Sequence, residues 1–236
     1  MWKKGKSFII IILSIFLVFL FDGFCSKSKI SNSNILFDEI LKSTKSTVQE
    51  CDVTASFETS SNGESMCQTI FKTLSQKKDY SINITQNREM YRIEFNKKNE
   101  NGYIQSIKYG KYNIITIDID ELVNRNKLDD LKTRIKDSLK DEEESVKYFE
   151  CIKARLADYE TIGKCNSQVL KLLRSYNIYD VDTVDLGNGY TSTAYTGLCN
   201  NVTKINNKLI DFNYSVCRYY SGSYMIIATP EIIKTY

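Results

Sequence analysis

The sequence has no histidine, a single proline (Pro230) and a single tryptophan (Trp2). Without histidine, Ser-His-Asp and Cys-His nucleophilic catalysis, His-ligated zinc and two-histidine iron sites are excluded. No Cys-x-x-Cys pair occurs, so a zinc knuckle or thioredoxin-like redox motif has no support. One proline and 42% hydrophobic content exclude a disordered or proline-rich linker protein. Excess charge is also missing. The 236 residues hold 32 Lys+Arg against 29 Asp+Glu, a formal +3. Such a chain exerts little long-range attraction on phosphate backbones, which disfavours a nucleic-acid partner.

What is present begins with a basic start. Residues 2–6 carry three lysines, residues 8–21 are apolar apart from Ser14, and Asp22 and Gly23 end the run. A basic segment before a short apolar one is signal-peptide anatomy. A membrane-spanning helix usually needs about 20 apolar residues. Cleavage after Cys25 would put Gly23 and Cys25 at the two selective positions. An uncleaved membrane anchor is the alternative, and the only membrane contact expected. A lipoprotein signal at Cys25 is opposed by bulky Phe24. Residues 26–34 are polar and read as a flexible lead. Removing residues 1–25 leaves a net charge of +1.

The periodicities then run twice through the same series. Residues 35–48 open on an amphipathic helical stripe, Ile35, Leu36, Phe37, Ile40 and Leu41. Cys51, Val53, Ala55 and Phe57 alternate with Asp52, Thr54, Ser56 and Glu58 as in a half-buried strand. Ser61 and Glu64 read as a capping box before a helix over 63–77. Strands are expected at 80–86, 89–96, 102–109 and 112–119, and a charged helix at 120–141. The acidic run at 141–144 reads as a solvated face. A strand at 146–156 follows, with Ile152, Ala154 and Leu156 inward, then a helix at 161–176. Further strands are expected at 180–186, 190–198, 207–219 and 223–230, with Asn188-Gly189 as a hairpin. Glu50-Cys51 and Glu150-Cys151 open corresponding strands, and Cys67 and Cys165 occupy corresponding helix positions. This predicts an α+β fold of two pseudo-symmetric repeats, 35–119 and 120–236. Together they form one curved antiparallel sheet with helices on its convex face.

The second half resembles a known family. Tyr148-Phe149-Glu150-Cys151-Ile152-Lys153-Ala154 looks like the conserved-cysteine strand of the YwmB family, exported proteins of spore-forming Gram-positive bacteria. Leu172-Leu173, the stretch Thr191-Ser192-Thr193-Ala194-Tyr195 and the ending Ile227-Ala228-Thr229-Pro230-Glu231-Ile232-Ile233-Lys234-Thr235-Tyr236 are similar in order and spacing. Ala154 and Ala228 stand where that family favours glycine. The match covers about residues 146–236, and residues 35–145 agree in element order alone. The resemblance implies a saddle like the TATA-box-binding protein and no catalytic residues. A fold of that kind is not itself a function.

Four constellations are candidates for chemistry or binding. Six cysteines lie beyond Cys25, and an even number in an exported chain suggests disulfides, with 15 possible connectivities. Equivalent positions make Cys51–Cys67 and Cys151–Cys165 the candidate pairs, each closing a loop of about 15 residues for roughly 3 kcal/mol. Against this, Cys151 has the opposite parity from Ile152 and Ala154. Buried thiols packing as small hydrophobes are the alternative. Asp180, Asp182 and Asp185 could serve an envelope hydrolase, though a polar strand end is the plainer reading. Arg92, Lys108, Arg155 and Arg218 could face DNA as in minor-groove readers, but Glu94, Asp118 and Asp211 sit among them. The tyrosines of the last strands, Tyr190, Tyr195, Tyr219 and Tyr224, could form a surface for an envelope protein or a glycan. The expectation is an exported, non-enzymatic envelope protein with no cofactor and no metal. It would bind through its open sheet face.

Overall fold

The structure is a computed structural model that describes residues 33–76, 79–139, 146–158 and 160–234. The signal peptide expected at 1–25, most of the polar lead and the acidic run at 141–144 lie outside the described residues. Helix α1 (Ser33–Thr44) leads into β1 (Thr47–Thr59), α2 (Gly63–Leu74) and four strands, β2 (Ser81–Gln86), β3 (Met90–Lys97), β4 (Glu100–Tyr109) and β5 (Tyr112–Leu122). Helix α3 (Leu128–Leu139), β6 (Lys147–Arg155) and α4 (Ile162–Ser175) come next. Then follow β7 (Val181–Asp185), β8 (Gly189–Ala194), β9 (Thr203–Ile205), β10 (Lys208–Ile210), β11 (Phe212–Tyr219) and β12 (Gly222–Thr229). The fold is α+β. Ten strands form one antiparallel sheet in the order β2-β3-β4-β5-β1-β6-β12-β11-β8-β7, and β9 and β10 pair as a separate hairpin.

Four helices, among the described residues, pack on one sheet face. Helices α2 and α3 lie together over the N-terminal strands, while α4 lies over β8 and β11 with α1 against it. The helix that precedes each half's first strand, α1 before β1 and α3 before β6, therefore packs over the opposite half of the sheet. The Phe37 and Phe212 rings, 6.1 Å apart, join α1 to β11. The core between the two layers contains Phe57, Ile117, Ile152, Val169 and Tyr214, all excluded from solvent.

Three local expectations change. The helix expected at 120–141 starts only at Leu128, because β5 continues to Leu122. Residues 120–122 stay in the ladder because they pair with Asp52, Cys51 and Glu50 of β1. The cap of α2 is Asn62, whose side chain accepts from Ser65 N at 2.9 Å. Glu64 accepts instead from the Gln68 and Gln86 amides, each at 3.2 Å. The strand expected at 207–219 breaks into β10 and β11 at Asp211. That carboxylate accepts from the backbone N–H groups of Thr196 (2.6 Å) and Gly197 (2.7 Å), so it is a buried loop anchor and not an outward acid.

Candidate functional site

The site lies on the sheet face that carries no helix among the described residues, at the centre of the sheet. On β1 the side chains of Cys51, Val53, Ala55 and Phe57 face the helices, so Asp52, Thr54 and Ser56 face the other way. These polar residues are nonetheless buried, Asp52 being only 1% exposed. Across the strand pair Asp52 stands opposite Asp120, and Thr54 opposite Asp118. Thr54 Oγ1 donates to Asp118 Oδ2 at 2.8 Å. One strand further out, Tyr103 stands opposite Asp118. The Arg92 guanidinium lies 3.7 Å from the centre of the Tyr103 ring.

The cover comes from the end of the chain. Pro230 has no N–H and cannot extend the β12 ladder. The residues after it cross the open face as a strap. Ile232 N donates to Asn213 Oδ1 on β11 at 3.0 Å. The Ile232 side chain packs on Cys151, Ile226 and Ala228. Lys234 Nζ makes an ion pair with Asp52 and lies 3.3 Å from Asp118 Oδ1 and 3.9 Å from Asp120 Oδ2. From β12 across β6 and β1 to β5 is three interstrand steps, about 14 Å, and five extended residues from Thr229 to Lys234 reach about 16 Å.

One ammonium thus serves three carboxylates. Burial, then the Asp118 charge, pushes Asp52 well above the usual carboxylate range, against the pull of Lys234. Burial also raises Asp120 to about 6, with Lys234 opposing and Glu50 and Asp118 adding to the rise. Burial would lower Lys234, but Asp118 and Asp52 outweigh it and hold the lysine charged above its ordinary value. Asp52 Oδ1 is buried with no hydrogen-bond partner among the described residues. Among those residues, no group of three or more Cys, Asp or Glu side chains is disposed to hold a metal ion.

A cleft of about 660 Å³ adjoins this centre, lined in part by Glu50, Glu121, Lys127, Lys153 and Tyr224. Lys127 Nζ donates to Glu121 at 2.8 Å. Lys153 Nζ lies 5.4 Å from the centre of the Tyr224 ring.

Of the tyrosines expected to form one surface, two come together. Tyr219 and Tyr224 face the open side with rings 6.0 Å apart. Tyr190 stands opposite Val216 and so faces the helix side, while exposed Tyr195 follows the end of β8. A surface of all four is not formed, because residues of opposite parity cannot share a sheet face.

The three aspartates of the hydrolase reading do not all converge. Asp180 and Asp182 share exposed Lys208 Nζ, at 4.0 and 2.7 Å, whereas Asp185 accepts from Gly187 N at 2.7 Å in the following turn. Nor do the four basic residues share a face. Arg92 and Arg155 lie on the open side and Lys108 and Arg218 on the helix side, as their cross-strand partners require. The centre of the open face is acidic, which repels a phosphate backbone.

The six cysteines are unbridged, buried thiols. Cys51 lies eight residues before the end of β1, about 26 Å, and α2 has retraced only about 6 Å by Cys67. A disulfide needs Cα atoms within about 7 Å. Cys51 instead accepts from Lys127 N at 3.4 Å. Cys151 and Cys165 lie on opposite sides of the sheet, Cys151 under Ile232 and Cys165 in the helix-side core. The echo of Glu50-Cys51 in Glu150-Cys151 is thus out of phase. Glu150 faces the helices and pairs with Lys132, whereas Cys151 faces the strap.

Sequence reasoning missed Lys234 and the meeting of Asp52, Asp118 and Asp120. The strand patterns did place Asp52 and Asp118 on polar faces. Their convergence depends on register, which periodicity does not carry. No protein-family model and no curated protein matches this chain.

Proposed function

We propose that this is an exported, non-enzymatic cell-envelope protein that binds a partner protein or glycan through its open sheet face, in envelope or sporulation biology. Export rests on the basic and apolar segments of residues 2–25. The strand order supports a two-repeat saddle of the YwmB kind with helices on its convex side. Counted outward from the centre, it reads β1, β5, β4, β3, β2 on one side and β6, β12, β11, β8, β7 on the other. The observation that carries the binding role is the strap. The open face already holds an extended segment of polypeptide by a backbone hydrogen bond, an apolar contact and an ion pair. The cleft and the Tyr219–Tyr224 pair beside it extend the available surface.

A photo-crosslinking residue at position 224, with one at exposed Ile35 on α1 as control, tests this in intact cells. We expect a defined adduct from position 224 and none from position 35. Equal labelling at both, or no adduct from an exported and folded protein, sinks the reading.

A further inference from the structure

Resting on that reading, we infer that the open face recognises an extended polypeptide segment presenting a branched aliphatic residue two positions before a lysine, and that the C-terminal strap occupies this site in cis. In an extended chain, residues i and i+2 point to the same side. Ile232 and Lys234 therefore both reach down to the sheet, one to Cys151, Ile226 and Ala228, the other to Asp52, Asp118 and Asp120. On the far side of Ile232 from Lys234, Asn213 Oδ1 on β11 takes the Ile232 backbone N–H, a contact that any residue other than proline supplies.

Two features separate a recognition site from plain cover. Like charges directly opposite on paired strands destabilise a sheet, yet Asp52 faces Asp120 here with Asp118 alongside. A cation over it relieves such a row, and among the described residues Asp52 keeps a buried oxygen unpartnered even with Lys234 in place. Second, the strap crosses the strands and is none of the ten strands of the sheet, which runs from β2 to β7 without it. Its removal breaks no ladder. A foreign segment with the same three features can take its place without rearranging a strand. A tethered segment competes at an effective concentration of order mM, so the occupied site admits only a partner that binds tightly or adds contacts in the adjoining cleft.

The test uses the full chain and a labelled synthetic peptide, Thr-Pro-Glu-Ile-Ile-Lys-Thr-Tyr, the sequence of residues 229–236. A second peptide carries norleucine in place of lysine. Folding of each protein is checked by its melting transition. We expect the Lys234→Ala chain to bind the lysine peptide at least tenfold more tightly than the unaltered chain does. The norleucine peptide should lose at least tenfold, and so should Asp118→Asn added to Lys234→Ala. Equal binding of the two peptides, or no binding by folded Lys234→Ala protein, overturns the inference.

Should Lys234→Ala fail to fold, an Ile232→Ala chain, which keeps the ammonium over the carboxylates but loosens the strap, is titrated with a photoreactive form of each peptide. Adducts on β1 or β5 from the lysine peptide alone support the inference, and their absence overturns it. A strap-exchanged dimer that admits no added peptide would assign the site to a second copy and overturn it as well. If the peptides fail while position 224 still captures an envelope component, only the ligand class falls. If that adduct is missing too, the binding reading falls with it.

Discussion

On strand β1, Val53 and Ala55 lie under helices while Asp52 and Thr54 lie under a five-residue strap, and all four are almost fully excluded from solvent. The two burials differ in kind. The helix side is apolar and continuous, assembled from four helices and both halves of the sheet. The strap side is narrow and polar, and depends on a lysine at the far end of the chain. Burial on the helix side follows from the hydrophobic effect and tolerates no exchange of parts. Burial on the strap side is a set of directional contacts that another chain can reproduce. One strand therefore carries stability on one face and a replaceable contact on the other.

The comparison can be broken first on the helix side. Phe57→Ala should cost about 3–5 kcal/mol in denaturant unfolding, as large-to-small changes in closed cores do. A loss below about 1 kcal/mol would mean that this core is not the main source of stability. Lys234→Ala comes next. It leaves the buried carboxylates without a cation, but the strap can lift and admit water. The expected cost is therefore roughly 1–3 kcal/mol, with cooperative unfolding retained. A cost matching that of Phe57→Ala would make the strap part of the core.

A smaller effect is pH-dependent. Asp120 faces Lys234, Glu50, Asp118 and Asp52, and its folded value of about 6 lies above the ordinary 3.8. The folded chain thus holds this proton more tightly than the unfolded chain does. Its contribution to stability falls as pH rises from about 4 to about 6 and is flat above that. The raised Asp52 acts in the same direction, while raised Lys234 contributes stability below its ordinary 10.5 that is lost above it. Asp120→Asn should flatten the fall between pH 4 and 6 in melting measurements. An unchanged slope would place the titration elsewhere.

The smallest expected effect concerns the thiols. Burial raises Cys51 to about 11 and Cys67, Cys165 and Cys199 to about 12, so each is protonated and unreactive at neutral pH. Reductant should shift the melting temperature by under about 1 °C. Alkylation of the six should be slow until the protein unfolds. A drop of many degrees on reduction would reinstate the disulfides.

Much of this architecture was legible beforehand. The alternation Cys51-Val53-Ala55-Phe57 marks β1, and the pattern through Tyr214 and Val216 marks β11 though not its break at Asp211, because burial on one face imposes a period of two. The stripe on α4 did the same for a helix. The site was legible only in fragments. Asp52 and Asp118 were readable as outward residues. Their neighbours were not, since that needs the register of β1 against β5. The number of tyrosines in the last strands suggests a shared surface. Parity, once the strands were in place, split Tyr190 from Tyr219 and Tyr224.

By itself, then, the sequence determined the class of fold, the order of the helices and of the ten sheet strands, and the exclusion of histidine-based chemistry. These depend on composition and on interactions within a few residues. Tertiary structure alone decided which helix covers which half of the sheet, which carboxylates meet and what neutralises them. Lys234 lies 182 residues from Asp52 and 116 from Asp118 along the chain. No local pattern links positions so far apart. Their contact exists because cross-strand pairing brings β1 and β5 together and the chain, turned out of β12 by Pro230, has the length to reach them.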